Sequence, residues 1–331
     1  LEFSIFWVLG SIRRRKKREW IGGEAKKFTK ELLASRDKEV DDLNNEHQPA
    51  GLIEVNGLEL YTEVWGPEDG ELLFLLHGFP EFSFGWKKQA QMLADQGYRV
   101  AVPNLRGYYN SSKPEKINGY TLEEIAKDLI ALVHFFHREQ AIMIGHDWGG
   151  IAGWFLASSY PDYVKKLIIL NVPHPAVFAR VAPFYPPQWL RSSYILFFQL
   201  PILPEILLKQ NHYRLLKKMM KTTARPGTFP PEILDAYQKA WEKEGALTGM
   251  LNWYRAIRRQ PFFTVPAPDP AVPVRMIWGR NDAALSLKLA KESMKSCGNG
   301  ELVLIDEATH WLHHEYPDIV NYWLVRFIEK E

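Results

Sequence analysis

Ala141-Ile-Met-Ile-Gly-His-Asp147-Trp-Gly-Gly150 joins an apolar run to a Gly-x-Asp-x-Gly turn, and the chain continues from it through a helical stretch, Trp148 to Tyr160, that ends at Pro161. Strand, tight turn and helix in that order present the central side chain at the top of an α/β sheet, with Gly145 and Gly149 relieving crowding where the backbone is strained. The residue presented here is an aspartate, where most such turns carry serine. A serine oxygen that attacked saturated carbon would leave an ether that water cannot easily cleave, whereas a carboxylate leaves an ester that hydrolyses at its carbonyl. Asp147 therefore points to substitution at sp3 carbon. Alone, an aspartate at such a junction is more often an N-cap, so its companions decide the reading.

Two companions follow in the chain order nucleophile, carboxylate, histidine, each after an expected strand. Val274-Arg-Met-Ile-Trp-Gly-Arg-Asn-Asp282 is a buried strand ending in a polar turn, where Asp282 can orient a histidine; Asp306, past the next strand, is the fallback. Leu302-Val-Leu-Ile-Asp-Glu-Ala-Thr-His310 places a histidine in the loop after the last strand. His310 is the expected base, since an unperturbed pKa of ~6.5 makes it neutral near pH 7 and a buried carboxylate raises its affinity for a proton. His313 and His314 lie nearer the final helix and read as surface or capping residues. Upstream, Leu73-Phe-Leu-Leu-His77-Gly-Phe79-Pro80-Glu81 is a strand running into a loop, and the Phe79 and Trp148 backbone N–H groups are the expected oxyanion donors.

Around these motifs the chain reads as a mainly parallel, eight-stranded α/β sheet with helices on both faces. Asn56-Gly57 closes an opening hairpin, Gly51 to Trp65. Further strands are expected at Leu72–Leu76, Tyr98–Val102, Ala141–Ile144, Lys166–Leu170, Val274–Trp278 and Leu302–Ile305. Helices are expected at Phe84–Gln96, Thr121–His137, Trp148–Tyr160, Ala284–Ser296 and Pro317–Ile328. About a hundred residues separate Leu170 from Val274, too many for bare loop. Helical segments Ser192–Leu200, Tyr213–Lys221, Pro231–Trp241 and Leu247–Arg259 make this an inserted cap over the carboxyl ends of the strands. The expected division is a basic, helical N-terminal segment (1–48), an α/β core (49–172 and 261–331) and a cap (173–260).

The formal net charge of +2 hides a local excess. Arg13, Arg14, Arg15, Lys16, Lys17 and Arg18 carry +6, which leaves 2 − 6 = −4 for the rest. The basic run directly follows an apolar stretch, Phe3 to Ile12, shorter than the ~20 residues that span a bilayer. It reads as juxtamembrane charge, consistent with membrane association through the N-terminus and a cytoplasmic or cytosol-facing catalytic domain, at the endoplasmic reticulum for example. No nucleic-acid partner is implied. The single cysteine, Cys297, excludes an intrachain disulfide and a cysteine metal site, and no phosphate-cradling glycine loop is present.

Taken together, His77-Gly-Phe-Pro-Glu81, Gly145-His-Asp-Trp-Gly-Gly150 and the late Asp282 and His310 resemble the epoxide hydrolase family of α/β-hydrolases, from the hairpin to the C-terminus. The ending from His310 and the basic N-terminus are most similar to the membrane-anchored animal members. The resemblance implies that two cap tyrosines, Tyr194 and Tyr254, bind the epoxide oxygen. Phenols with pKa ~10 stay protonated near neutrality yet are more acidic than an alcohol product. It implies hydrolysis of a hydrophobic epoxide, such as a lipid epoxide, by water to a vicinal diol through an Asp147 ester, with no cofactor or metal. His77, Pro80, Trp311 and Phe198 are the expected pocket residues, in a cap rich in Phe178, Phe184, Tyr185, Trp189 and Phe197. Asn104 replaces a usual aspartate, Tyr109-Asn110 a common glycine-aspartate and Thr309 a frequent glycine. Two alternatives use the same scaffold: a haloalkane or haloacid dehalogenase with the same triad, and a non-catalytic ligand receptor.

Overall fold

Short apolar runs that would be insoluble alone become strands here because each finds a partner in one sheet, on both sides for all but the two edge strands. The computed structural model describes residues 48–267 and 271–330. The strands are β1 (Gln48–Val55), β2 (Leu58–Trp65), β3 (Leu72–Leu76), β4 (Arg99–Pro103), β5 (Ala141–His146), β6 (Val164–Leu170), β7 (Val274–Gly279) and β8 (Gly300–Ile305). They form one sheet in the order β1-β2-β4-β3-β5-β6-β7-β8. β1, β2 and β4 pair antiparallel, and every later pair is parallel. Asn56 and Gly57 both take positive φ at the hairpin, as a two-residue turn of the favoured hand requires.

β3, β5 and β7 are buried at every position. That is the signature of parallel strands covered on both faces, and it explains why they lack polar alternation. Shortening one such side chain, for instance Ile142→Ala, would cost about 2–5 kcal/mol in lost burial and residual cavity. The covering helices are α1 (Lys87–Asp95), α2 (Leu122–Phe135), α3 (Trp148–Ser159), and, late in the chain, the helices beyond β7.

Between β6 and β7 the chain makes five helices: α4 (Pro175–Val181), α5 (Pro186–Phe198), α6 (Leu203–Thr223), α7 (Pro231–Trp241) and α8 (Ala246–Ala256). After β7 come α9 (Leu287–Met294), α10 (Leu312–Glu315) and α11 (Pro317–Ile328). α1 packs on α11 and α2 on α3.

The insertion differs in detail from the sequence expectation. α4 was not anticipated, and α5 starts six residues earlier than Ser192, since Pro186 and Pro187 sit in its first turn, where a missing N–H costs nothing. α6 begins at Leu203 and is interrupted at Gln210–Tyr213, where Asn211, His212 and Tyr213 all take positive φ. The expected helix from Phe84 is a 3₁₀ turn, Ser83–Trp86, followed by α1. The apolar stretch Phe3 to Ile12, the basic run and the amphipathic segment Gly23 to Asn45 lie outside the described residues. Among the described residues, no helix is long and apolar enough to cross a membrane.

Candidate active site

Asp147 sits at the strand-to-helix turn between β5 and α3 with φ +50° and ψ −121°. This is a sparsely populated conformation for a non-glycine residue and is held only by what surrounds it. The turn closes because Gly145 and Gly149 pass within contact: a Cβ on Gly145 would lie 2.5 Å from the Gly149 carbonyl oxygen. A Cβ on Gly78 would lie 2.3 Å from that of Asp147, so the β3 loop also approaches by virtue of a glycine.

That approach brings the Phe79 N–H to Asp147, where it donates to Oδ1 at 2.9 Å. Oδ2 faces His310 Nε2 at 3.6 Å, longer than a hydrogen bond. His310 Nδ1 lies 2.8 Å from Asp282 Oδ2. Asp282 is itself fixed by the Ala284 and Leu285 N–H groups on Oδ1 and by Asn171 Nδ2 on Oδ2. The three residues from three loops thus form one line, Asp147, His310, Asp282. Asp306, the fallback, is exposed and pairs with Arg280 at the surface.

Electrostatics follow from this line. Burial alone would lower the His310 pKa, but Asp282 and Asp147 together outweigh it and raise it to about 10. Burial would raise both carboxyls, yet the His310 imidazole holds each below the usual carboxylate range, with His146 and the Phe79 N–H adding to the effect on Asp147. In the resting protein the line is therefore an imidazolium between two carboxylates.

Tyr194, on α5, and Tyr254, on α8, approach from the insertion. Their rings meet edge to face at 5.8 Å, and Tyr254 also stands edge-on to Phe79 at 5.3 Å and to Trp148 at 4.9 Å. Burial, then the partner phenol and the Asp147 charge, push the Tyr254 hydroxyl well above its ordinary range; burial and Asp147 do the same for Tyr194. Both stay protonated and keep an O–H to donate.

The residues beside Tyr254 anchor it. Trp253 Nε1 donates to the Arg106 carbonyl at 2.9 Å, Gln199 Nε2 to the Tyr254 carbonyl at 2.8 Å, and Arg255 binds Glu205 through two nitrogens at 2.7 and 2.9 Å. Gly249 lets α8 press on the core loop: a Cβ there would lie 2.4 Å from the Gly107 oxygen.

Among the expected pocket residues, Phe198 packs on Phe79, Tyr194 and Tyr254. Trp311 stands edge-on to His310 at 5.2 Å and donates from Nε1 to Thr223 Oγ1 at 2.8 Å. Pro80 follows a cis peptide bond and accepts from Trp241 Nε1 at 2.8 Å. His77 is fully buried, with Nδ1 near the Gly78 carbonyl and Nε2 accepting the Leu105 N–H. Both nitrogens are thus committed to backbone, so His77 fixes a loop and has no polar atom left for a ligand.

The departures from the family pattern are accommodated locally. Asn104 Oδ1 accepts the Ser83 N–H at 2.9 Å, a bond aspartate would also make. Tyr109 takes φ +45°, where glycine would be unstrained. Thr309 N–H and Oγ1 both bond Glu315, at 2.8 and 2.6 Å.

His313 is a correction: it is buried at 1% exposure and stacked on Trp86, and with His314 it faces Glu81. Glu81 and His146, also fully buried and joined at 3.1 Å, were not singled out, because residues so far apart in the chain carry no local signal.

The α/β-hydrolase fold family matches residues 71–317. An AB hydrolase superfamily protein, YfhM of Bacillus subtilis, is 49% identical over 279 residues, covering 84% of this chain and 97% of its own. Human epoxide hydrolase 4 is 35% identical over 287 residues, covering 84% of this chain and 78% of its own. Among solved structures, the Bacillus megaterium epoxide hydrolase in complex with an inhibitor superposes with a TM-score of 0.77 at 29% identity, over 85% of this chain and all of its own. The chain therefore belongs to the α/β-hydrolase fold family and, within it, to the hydrolytic enzymes of the epoxide hydrolase family.

Proposed function

We propose that the chain converts a hydrophobic epoxide and water to a vicinal diol through a covalent ester of Asp147, beneath a cap formed by residues 173–260. The observation that carries this reading is the division of labour between the Asp147 oxygens: Oδ1 already accepts the Phe79 N–H, while Oδ2 is free of a close hydrogen bond. Oδ2 attacks an epoxide carbon, the ring C–O bond breaks, and the released oxygen takes a proton from Tyr194 or Tyr254. The product is a hydroxyalkyl ester whose carbonyl oxygen is Oδ1.

Forming the ester consumes the Asp147 charge. One of the two carboxylates that raise the His310 pKa is lost, so the imidazole gives up its proton, which restores the tyrosine, and becomes a neutral base. His310, oriented by Asp282, then takes a proton from water as the water oxygen bonds to the ester carbon. The Phe79 and Trp148 amides hold the resulting oxyanion; on collapse the bond from the ester carbon to the diol oxygen breaks, the departing alkoxide takes the proton of the Asp147 acid, and the diol leaves with the Asp147 carboxylate and His310 imidazolium restored. The two buried phenols favour an oxygen leaving group over a halide. The apolar surround of Phe198, Phe79 and Trp148 supports a hydrophobic substrate, a lipid epoxide among the candidates.

The test is a single turnover of an aryl epoxide in oxygen-18 water with enzyme in excess. The ester route puts the label into the Asp147 carboxylate and none into the first diol. Label directly in that diol would mean direct attack by water. Halide release from haloalkanes, unaffected by Tyr→Phe at both positions and unaccompanied by diol, would establish dehalogenation instead.

A further inference from the structure

Packed against His310 through the His146 ring, 4.6 Å away, lies a second cluster to which the proposed reaction gives no role. Glu81, from the loop after β3, is fully buried and is surrounded by three histidines and a phenol. Tyr237 donates to Oε1 at 2.8 Å and His314 Nε2 lies 2.5 Å from the same oxygen. His146 Nδ1 lies 3.1 Å and His313 Nε2 3.3 Å from Oε2.

Four polar groups crowd this one carboxylate, two at each oxygen. Among the described residues, His313 Nδ1 has no hydrogen-bond partner and Nε2 has only the 3.3 Å approach to Oε2, although the side chain is 1% exposed. A buried polar atom left in this way costs about 1–3 kcal/mol and calls for a partner such as an ion or water.

We propose that Glu81, His146 and His313 form a site for a divalent transition metal of the zinc class, with His314 at its mouth. Ligand atoms from all three lie within 4.8 Å of one another. A tetrahedral ion bonded at about 2.0–2.1 Å sets its ligand atoms about 3.3 Å apart. The two separations from Oε2, 3.1 and 3.3 Å, match that edge length.

The outer contacts also have the form that metal sites use. His146 Nε2 lies 2.9 Å from the His310 carbonyl oxygen, so its second ring nitrogen is turned to a backbone acceptor. Tyr237 orients the carboxylate from its other oxygen. His314, at 16% exposure against 1% or less for the other three, is where an ion enters. Imidazole and carboxylate together suit zinc over calcium or magnesium, which take oxygen ligands.

An ion here ties together three segments: the β3 loop, the end of β5 through His146, and α10, which follows the loop carrying His310. It supplies no step of the hydrolysis. The single cysteine excluded only a cysteine site, and a carboxylate–histidine set drawn from Glu81, His146 and His313 was not visible in the chain.

The test is titration of the full chain, stripped with chelator, with zinc chloride alone. One equivalent of zinc, retained through gel filtration and raising the melting temperature, is expected, with affinity reduced at least tenfold in both His313→Gln and Glu81→Gln. Surface variants His134→Gln and His212→Gln should bind as the unmodified chain does. Absence of binding, or binding unchanged in both cluster variants, would overturn the proposal. Cobalt bound to the unmodified chain provides a readout independent of any variant's folding: intense visible bands of a tetrahedral ion support the site, and a weak octahedral spectrum contradicts it.

Discussion

The sheet and the helical insertion contribute to the same site by different means. Asp147 and Asp282 follow strands buried at every position, where packing and chemistry demand the same backbone, and His310 follows the half-buried β8. The insertion leaves Phe184, Trp189, Leu190, Leu196 and Ile202 exposed, and breaks one helix at three consecutive positive-φ residues. It still delivers Tyr194 and Tyr254 to Asp147, because a few specific ties at Trp253, Arg255, Gln199 and Gly249 hold α8 to the core loop and to α5. In the proposed reaction the sheet supplies the nucleophile and its base, and the insertion the acid and the apolar walls. On that proposal the first governs whether an ester forms and turns over, and the second which leaving atom is served.

That contrast can be broken at the sheet first. Asp147→Ala should abolish diol formation, a loss of about 10⁴-fold or more, with the far-ultraviolet circular dichroism unchanged. Measurable turnover in this variant would move the nucleophile elsewhere.

Asp282→Asn should reduce turnover about 10³-fold, since His310 loses its orienting partner. It should also alter the dependence of stability on pH. His310 rises from an ordinary 6.5 to about 10 in the folded protein, so its contribution is complete below about 6.5 and is lost as pH rises toward about 10. Chemical denaturation across that window should show the decline in the unmodified chain and a smaller, earlier one in Asp282→Asn. Identical profiles would mean that Asp282 does not set the His310 charge.

On the insertion, Tyr254→Phe should lower kcat about 10²-fold for an epoxide, the scale of a lost general acid, and leave the melting temperature nearly unchanged. An effect confined to KM would make Tyr254 a binding residue only. Smallest of all, Leu190→Ser on the exposed side of α5 should shift stability by no more than about 0.5 kcal/mol and turnover less than twofold. A larger fall in turnover would show that the outer face of the insertion also participates.

The same division governs what could be read from the chain. β3 matches its expected bounds because five buried apolar residues between polar turns admit little else. The elbow is legible for a similar reason, since glycines at 145 and 149 are needed where backbones cross. In the insertion, Pro175 opens α4 and Pro186 and Pro187 open α5, ahead of the helical start expected at Ser192, and nothing local marks the break at Asn211–Tyr213. His77 and His313 show the limit most plainly. One was assigned to the pocket and one to the surface, yet both are buried, and only the tertiary neighbours distinguish them from His310. Burial lowers His77 to about 4 and, with His314 beside it, His313 to about 3, whereas two carboxylates raise His310 to about 10.

The central claim is that Asp147 becomes esterified and His310 releases it. Intact mass of His310→Gln after incubation with an aryl or fatty-acid epoxide tests this most directly. The account predicts an added mass equal to the epoxide, mapped to Asp147 and absent from a protein that also carries Asp147→Ala. Diol production by His310→Gln at the unmodified rate with no adduct, or an adduct that persists without Asp147, would contradict it.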